Sequence, residues 1–354
     1  VQYNMNLYEF LSSDNMVAYW LEKNVNAQPL LGETLFPNRK QLGIQLDWIK
    51  GANDQPVGLR LSAFDSKTIR RDREGFEQYR DKMPFFKESM YIDEELRQQL
   101  NIYMANNRNA MADQILAKIF DDQVKLITSA YITVERMRME ALTTGTITLA
   151  SNGEAYSYDF GIPVDQLQTV TKSWTDPTAD VLGDVTAIVD GMKAKGINIT
   201  RAVCNNSVAT ALRTNNAIKN SIYVLAGGSI PSVTTERVLN YIYEETGISF
   251  YVYDNVWVDE NKQAHKYIPD NTVVFLPEGT LGYTNFGTTP EESDLMNSIA
   301  DSSVSLVNNA IAVTNHIEHD PVLVETKVSM ICLPSFERAN EIVILDTDAT
   351  TSAG

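Results

Sequence analysis

Histidine and cysteine are scarce in this sequence, three and two among 354 residues. The thiols, Cys204 and Cys332, stand far apart, each inside an apolar stretch. They read as reduced core thiols rather than a disulfide framework. With so little histidine, the commonest general base and metal ligand is nearly missing. Basic charge is also short: 29 Lys and Arg face 46 Asp and Glu, a net charge of −17. Such a surface does not grip phosphate backbones, although like-signed walls would keep an enclosed polyanion mobile. No apolar run approaches the roughly 20 residues needed to cross a bilayer. The start, "VQYNMNLYEFLSSDN", lacks the basic and apolar regions of a signal peptide. Phosphate loops of the Walker type, dinucleotide fingerprints and G-x-S-x-G elbows do not occur. The glycine pair in "LAGGSIP" (225–231) has no Lys-Ser/Thr after it.

The residues that remain do not assemble a catalytic site. "NHIEHD" holds His316 and His319 in an H-x-x-H spacing, but its surroundings read as strand. Residues three apart on a strand face opposite sides, whereas a metal site needs three or four convergent ligands. His265 reads as a surface or strand residue. The acid pairs Asp121-Asp122 and Glu291-Glu292 are adjacent in sequence, so their side chains diverge. They read as solvated or helix-terminal charges. No metal, cofactor or catalytic residue is assigned.

The pattern of elements is more informative. Residues 1–35 read as an arm with a short helix from Ser13 or Asp14. "WIKGANDQPVGLRL", Trp48 to Leu61, reads as a β-hairpin, which alone is marginal in water. In the run after it, Arg70, Arg71, Arg73, Arg80 and Lys82 alternate with Asp72, Glu74, Glu77 and Asp81. This is either a solvated loop with weak ion pairs or a set of charges that meets complementary charges on another subunit. Asp93 suits the N-cap of "EELRQQLNIYMA". From Ala110 to Leu142, Met111, Ile115, Ile119, Leu126, Ile127, Tyr131 and Val134 recur at helical spacings, and Gly145 ends the run. Such a helix is roughly 50 Å long.

A hairpin turning at Ser151-Asn-Gly153 follows. A helix after "WTDPTAD" carries Val181, Val185, Ile188, Val189 and Met192 on one face. Strands and helices then alternate, so that residues 176–314 read as a mixed α/β unit. The late strands in "PVLVETKVSMICLP" and "EIVILD" are expected to return to sheet with the 146–160 hairpin, which makes one domain discontinuous.

This order of elements resembles that of the major capsid proteins of tailed double-stranded DNA phages, the Hong Kong 97-type fold. "LGETLFPNRKQ" (31–41), "KSWTDPTAD" (172–180), "ITRAVCNNSVATALRTNNAIK" and above all "IPDNTVVFLPEGTLGYTNFG" (268–287) are similar to the lambda-type capsid protein E family. The resemblance implies an α+β chain with an N-terminal arm (1–35), an extended β-hairpin loop (36–90), a peripheral domain with a long spine helix (91–175 and 315–348) and an α/β axial domain (176–314). It implies a non-enzymatic structural protein that self-assembles through hexamers and pentamers into an icosahedral head shell around double-stranded DNA, read without sequence specificity. Portal, scaffold and decoration proteins are the implied partners, with assembly in the host cytoplasm, a place in the virion capsid, and no membrane or cofactor. The loop residues expected at the subunit interface are Trp48, Lys50, Asn53, Leu59, Leu61, Arg70, Arg71 and Arg73. A nanocompartment shell of the same fold, or a metal-dependent hydrolase using His316 and His319, are the alternatives.

Overall fold

Ser12 opens the first helix: its Oγ accepts from the Asn15 amide at 3.4 Å, and α1 (Ser13–Asn24) follows. The structure, a computed structural model, describes residues 12–24, 30–50, 77–105, 109–225, 233–297, 304–319 and 322–348. After α2 (Leu31–Leu35) and β1 (Asn38–Lys40), strands β2 (Gln45–Lys50) and β3 (Glu77–Lys82) pair as a two-stranded ribbon. β4 (Phe85–Ile92) leads to Asp93, whose carboxylate accepts from the Leu96 amide at 2.8 Å and starts α3 (Glu94–Ala105).

α4 (Asn109–Thr144) is 36 residues long, roughly 54 Å at helical rise. Ile119, Leu126, Ile127 and Val134 lie on its buried side, as their spacing requires. It stops at Gly145 (φ +74), whose amide bonds to the Ala141 carbonyl at 2.9 Å. That left-handed closure favours glycine, and a Cβ there would come within 2.7 Å of Ile162 Cδ1. β5 (Thr146–Ser151) and β6 (Glu154–Asp159) then form a hairpin on Asn152-Gly153, with φ of 51 and 81. Positive φ at both turn residues matches the twist of the strands.

The chain continues through β7 (Leu167–Thr169), α5 (Val181–Ala194), β8 (Ile199–Cys204), α6 (Asn206–Thr214) and α7 (Asn216–Leu225). Next come α8 (Thr235–Thr246), β9 (Ser249–Val252), β10 (Val256–Val258), β11 (Ala264–Lys266) and β12 (Thr272–Pro277). β13 (Tyr283–Phe286), α9 (Pro290–Met296), β14 (Val304–Val307), β15 (Ile311–His319), β16 (Val322–Ser335) and β17 (Val343–Asp346) complete it. Helix starts are capped by side chains: Asp180 accepts from Gly183, Asn205 from Val208, Thr234 from Arg237 and Thr289 from Glu292.

Contacts divide the chain into two units. The first holds residues 1–47, 80–137 and 283–335, with a sheet in the order β1-β13-β16-β15-β14 and β4 also paired to β16. β15 and β4 pair with overlapping stretches of β16 and so flank it on opposite sides. The second holds residues 48–79, 138–282 and 336–354, with a mixed sheet in the order β7-β17-β12-β8-β9. In that second unit α5 buries Val181, Val185, Ile188, Val189 and Met192, the five residues its spacing predicts, in one core with Trp174, Leu212, Val238, Ile242 and Phe275.

The strand pairing differs from the sequence expectation. Among the described residues the β5–β6 hairpin pairs only with itself, and neither late strand joins it. A strand has two edges, and both are taken. β16 has β15 on one side and β4 and β13 on the other, while β17 lies between β7 and β12. The chain is discontinuous in both units. β13 and β14, which the sequence reading placed inside the mixed α/β unit of residues 176–314, belong instead to the first unit's sheet: β13 pairs with the end of β16, and β14, β15 and β16 form an antiparallel meander.

Candidate assembly interface

The root of the β2–β3 ribbon is held on both strands within the first unit. Gly43 takes φ +85, and its carbonyl accepts from the Thr288 amide at 3.2 Å. The Met83 amide, just past β3, bonds to the Ile44 carbonyl at 2.9 Å. Gly287 closes the clasp: its amide bonds to Ile331 at 2.8 Å. A Cβ on Gly287 would meet Gly43 O at 2.5 Å, Met83 Cε at 2.8 Å and Ile331 Cγ2 at 2.9 Å. Leu42 on the same turn is 79% exposed.

Beside this clasp, Lys40 Nζ lies 2.5 Å from Glu292 Oε2 and donates to the Gly287 carbonyl at 3.0 Å. Glu292 is buried, with a side chain only 5% exposed. Lys327 Nζ is 2.6 Å from Glu291 Oε1, and Ser329 Oγ donates to Glu291 Oε2 at 2.9 Å. Burial pushes the Glu291 carboxyl up, but these two donors and a backbone hydrogen bond prevail and hold it below its ordinary value. The Glu291-Glu292 pair is thus not solvated; of the two sequence readings the helix-terminal one holds, since both stand in the first turn of α9. Adjacent residues diverge as expected, but each carboxylate points to its own lysine, from β1 and from β16.

The predicted interface residues fall as follows. Trp48 is buried in β2, with its ring centroid 5.9 Å from that of Phe160; its own chain covers it, so it seats the ribbon. Lys50 is the last residue of β2. Asn53, Leu59, Leu61, Arg70, Arg71 and Arg73 lie outside the described residues. Of the charges that follow them, Arg80 Nε pairs with Asp47 Oδ1 across the ribbon at 2.7 Å. Both side chains are well exposed, so the pair contributes little.

The other singled-out groups stay apart. His316 and His319 sit three apart on β15. His265 Nε2 lies 2.9 Å from Asp259 Oδ2 on the β10–β11 hairpin. Among the described residues no three His, Cys, Asp or Glu side chains gather as metal ligands, and no helix is long and apolar enough to cross a membrane. Both cysteines are buried and free; burial pushes the Cys204 thiol up to about 12, so it stays protonated and unreactive. A groove of about 440 Å³ in the second unit is lined by Thr175, Asn206, Ser207, Asp254 and Lys266, with Lys266 tied to Asp270 at 2.8 Å.

Sequence reasoning missed how the arm is held. Ser13 Oγ and Ser305 Oγ are 2.8 Å apart, Trp20 stacks on Tyr131 with centroids at 5.1 Å, and Glu135 accepts from the Gly32 amide at 2.8 Å. Hydrogen bonds from Lys23 and then Tyr19 hold Asp121 below the usual carboxylate range. One signal was present: Glu135 follows Ile127 and Tyr131 at four-residue steps, which puts a carboxylate on the apolar stripe of α4.

Residues 12–347 match the family described as phage major capsid protein E. Among solved structures, a protein assigned as the capsid protein of an E. coli CFT073 prophage is similar with TM-score 0.61 and 15% identity, over 95% of this chain and 99% of that one. A phage-related protein from Bordetella bronchiseptica RB50 is similar with TM-score 0.55 and 12% identity, over 95% and 98%. At these identities the likeness is one of fold. No curated protein matches this chain.

Proposed function

The chain belongs to the phage major capsid protein E family and is a structural subunit of a capsid shell; from that premise we propose how it builds one. The fold is the α+β fold of phage major capsid proteins, the Hong Kong 97 type. Copies of the chain associate with one another, and the protein's place is the virion capsid.

Our reading is that copies form hexamers and pentamers of an icosahedral head, assembled in the host cytoplasm around double-stranded DNA that no base-specific contact reads. Residues 1–35 serve as the arm, 36–90 as the extended loop, 91–175 and 315–348 as the peripheral part with α4 as its spine, and 176–314 as the axial part. The protein works by packing and not by catalysis. Portal, scaffold and decoration proteins complete the set of partners. Beyond Lys50 the loop, with Asn53, Leu59, Leu61, Arg70, Arg71 and Arg73, reaches a neighbouring copy.

The observation that carries this reading is the root clasp. Backbone hydrogen bonds at Gly43, Ile44 and Met83 tie the roots of both ribbon strands within the first unit, which supports the reading that the loop beyond Lys50 serves a neighbouring copy. Many modest repeated contacts then give collective stability to a closed shell. Negative-stain microscopy of purified protein is expected to show closed shells. Deleting Gly51–Pro56 is expected to leave a soluble subunit with unchanged thermal unfolding that assembles poorly. A deletion variant that unfolds like a core truncation would place the loop in its own subunit's core and sink the reading.

A further inference from the structure

The chain holds a single Asn-Gly dipeptide, Asn152-Gly153, and the fold sets it at the tip of the β5–β6 hairpin. Both residues are exposed. Asn152 takes φ 51 and Gly153 φ 81, the left-handed pair that a two-residue turn requires. Among the described residues no hydrogen bond occupies the Asn152 side chain or the Gly153 amide. The space about Gly153 is open as well: a Cβ built there would meet nothing within 4 Å.

These are the conditions under which a backbone nitrogen attacks the side chain before it. Both groups belong to one residue pair, so the reaction is intramolecular and needs no partner. The Gly153 nitrogen gives its proton to solvent and bonds to Asn152 Cγ. The Cγ–Nδ2 bond breaks, and Nδ2 leaves with a proton from solvent as ammonia. The cyclic imide then takes up water, and nothing is oxidised or reduced. Opening at Cγ leaves aspartate in an ordinary main chain. Opening at the backbone carbonyl leaves iso-aspartate, with the main chain routed through Cγ. A Cβ on the second residue crowds the attacking nitrogen, and glycine has none. The other asparagines at positive φ, Asn271, Asn308 and Asn309, are followed by Thr272, Asn309 and Ala310, each with that Cβ.

The iso-aspartyl product does not fit the turn. Two linking residues fix the register that sets Ser151 opposite Glu154, and iso-aspartate puts an extra main-chain carbon between the strands. Either product also adds a carboxylate beside Glu154 and near Glu260, which accepts from Ser151 Oγ at 3.4 Å. Among the described residues β5 and β6 pair only with each other, so no neighbouring strand holds the register once the tip gives way. We infer that Asn152 deamidates in the folded protein through this imide, and that the iso-aspartyl product unzips the β5–β6 hairpin from its tip.

The test uses the full chain, held folded in mildly alkaline buffer, which raises the share of deprotonated amide. Isoelectric focusing is expected to show an acidic shift that grows with time, and peptide mapping to trace it to position 152 as aspartate and iso-aspartate. Asn152→Gly keeps a residue suited to positive φ and removes the side-chain amide, so the shift is expected to be lost. The iso-aspartyl fraction, separated by ion exchange, is expected to exchange the amide hydrogens of residues 146–159 roughly tenfold faster than the parent, with α5 unchanged. No shift in the folded parent, a shift that persists in Asn152→Gly, or conversion of other asparagines ahead of Asn152 would each overturn the site. An iso-aspartyl fraction whose hairpin exchanges like the parent's would overturn the unzipping.

Discussion

At the scale of single residues, two glycines at the ribbon root act for different reasons. Gly43 needs its positive φ and has open space around its Cα. Gly43→Ala therefore costs only the backbone term, about 1 kcal/mol. Gly287 is hemmed in by backbone and by two packed side chains. Gly287→Ala forces the clasp apart at about 2–3 kcal/mol, and urea unfolding of the two variants should rank them in that order. Charge supplies a second contrast. Lys40→Met leaves Glu292 buried without its cation, at about 2–3 kcal/mol, and the double variant with Glu292→Gln should recover much of the loss. Glu291 adds a pH dependence whose sign is fixed. Its carboxyl is held below the ordinary 4.5, so the native state binds fewer protons than the unfolded one. Its contribution is complete above about pH 4.5 and fades as the pH falls further. Glu291→Gln should flatten that part of the acid unfolding curve; an unchanged curve would remove Glu291 from the account.

Elements show which features a sequence exposes and which it hides. The buried face of α5, the stop at Gly145 and the turn at Asn152-Gly153 were all legible, because each is written within a few residues as periodicity or turn chemistry. The partners of β4, β16 and β17 were not. Tyr91 meets Glu325 across the sheet, and no local pattern encodes a pairing between residues so distant. The interface was partly legible: the strand through Trp48 was read, but its observed partner Glu77–Lys82 was read as a charged run, the expected return strand Val57–Leu61 lies outside the described residues, and the clasp depends on Gly43 and Gly287 meeting across the chain. The arm was hidden in the same way. Trp20 is 8% exposed and stacked on Tyr131 of α4. Trp20→Ala should cost about 3 kcal/mol. Tyr243 on α8 is 55% exposed, and Tyr243→Ala should stay within about 0.5 kcal/mol. Chemical denaturation of the pair separates an arm packed into the core from one merely laid on it.

For the whole molecule the deciding quantity is charge. Identical copies of net charge −17 repel, yet a shell must bring many together. Two physical routes lead past this, and salt tells them apart. If neutral main-chain and apolar contacts hold the copies, salt only screens the repulsion, with a Debye length near 10 Å at 0.1 M. Assembly then quickens as ionic strength rises. If the contacts are instead ion pairs between the Arg70–Arg73 run and acids on the next copy, salt weakens attraction as well as repulsion, and assembly slows. The described charges favour the first route. Arg80 and Lys327, and Lys40 behind its buried partner, are each already paired within the chain. Light scattering of purified subunits from 20 to 300 mM salt is therefore expected to show assembly rates that rise and then level off. A steady fall over that range would move the adhesive contacts to the arginines of the loop.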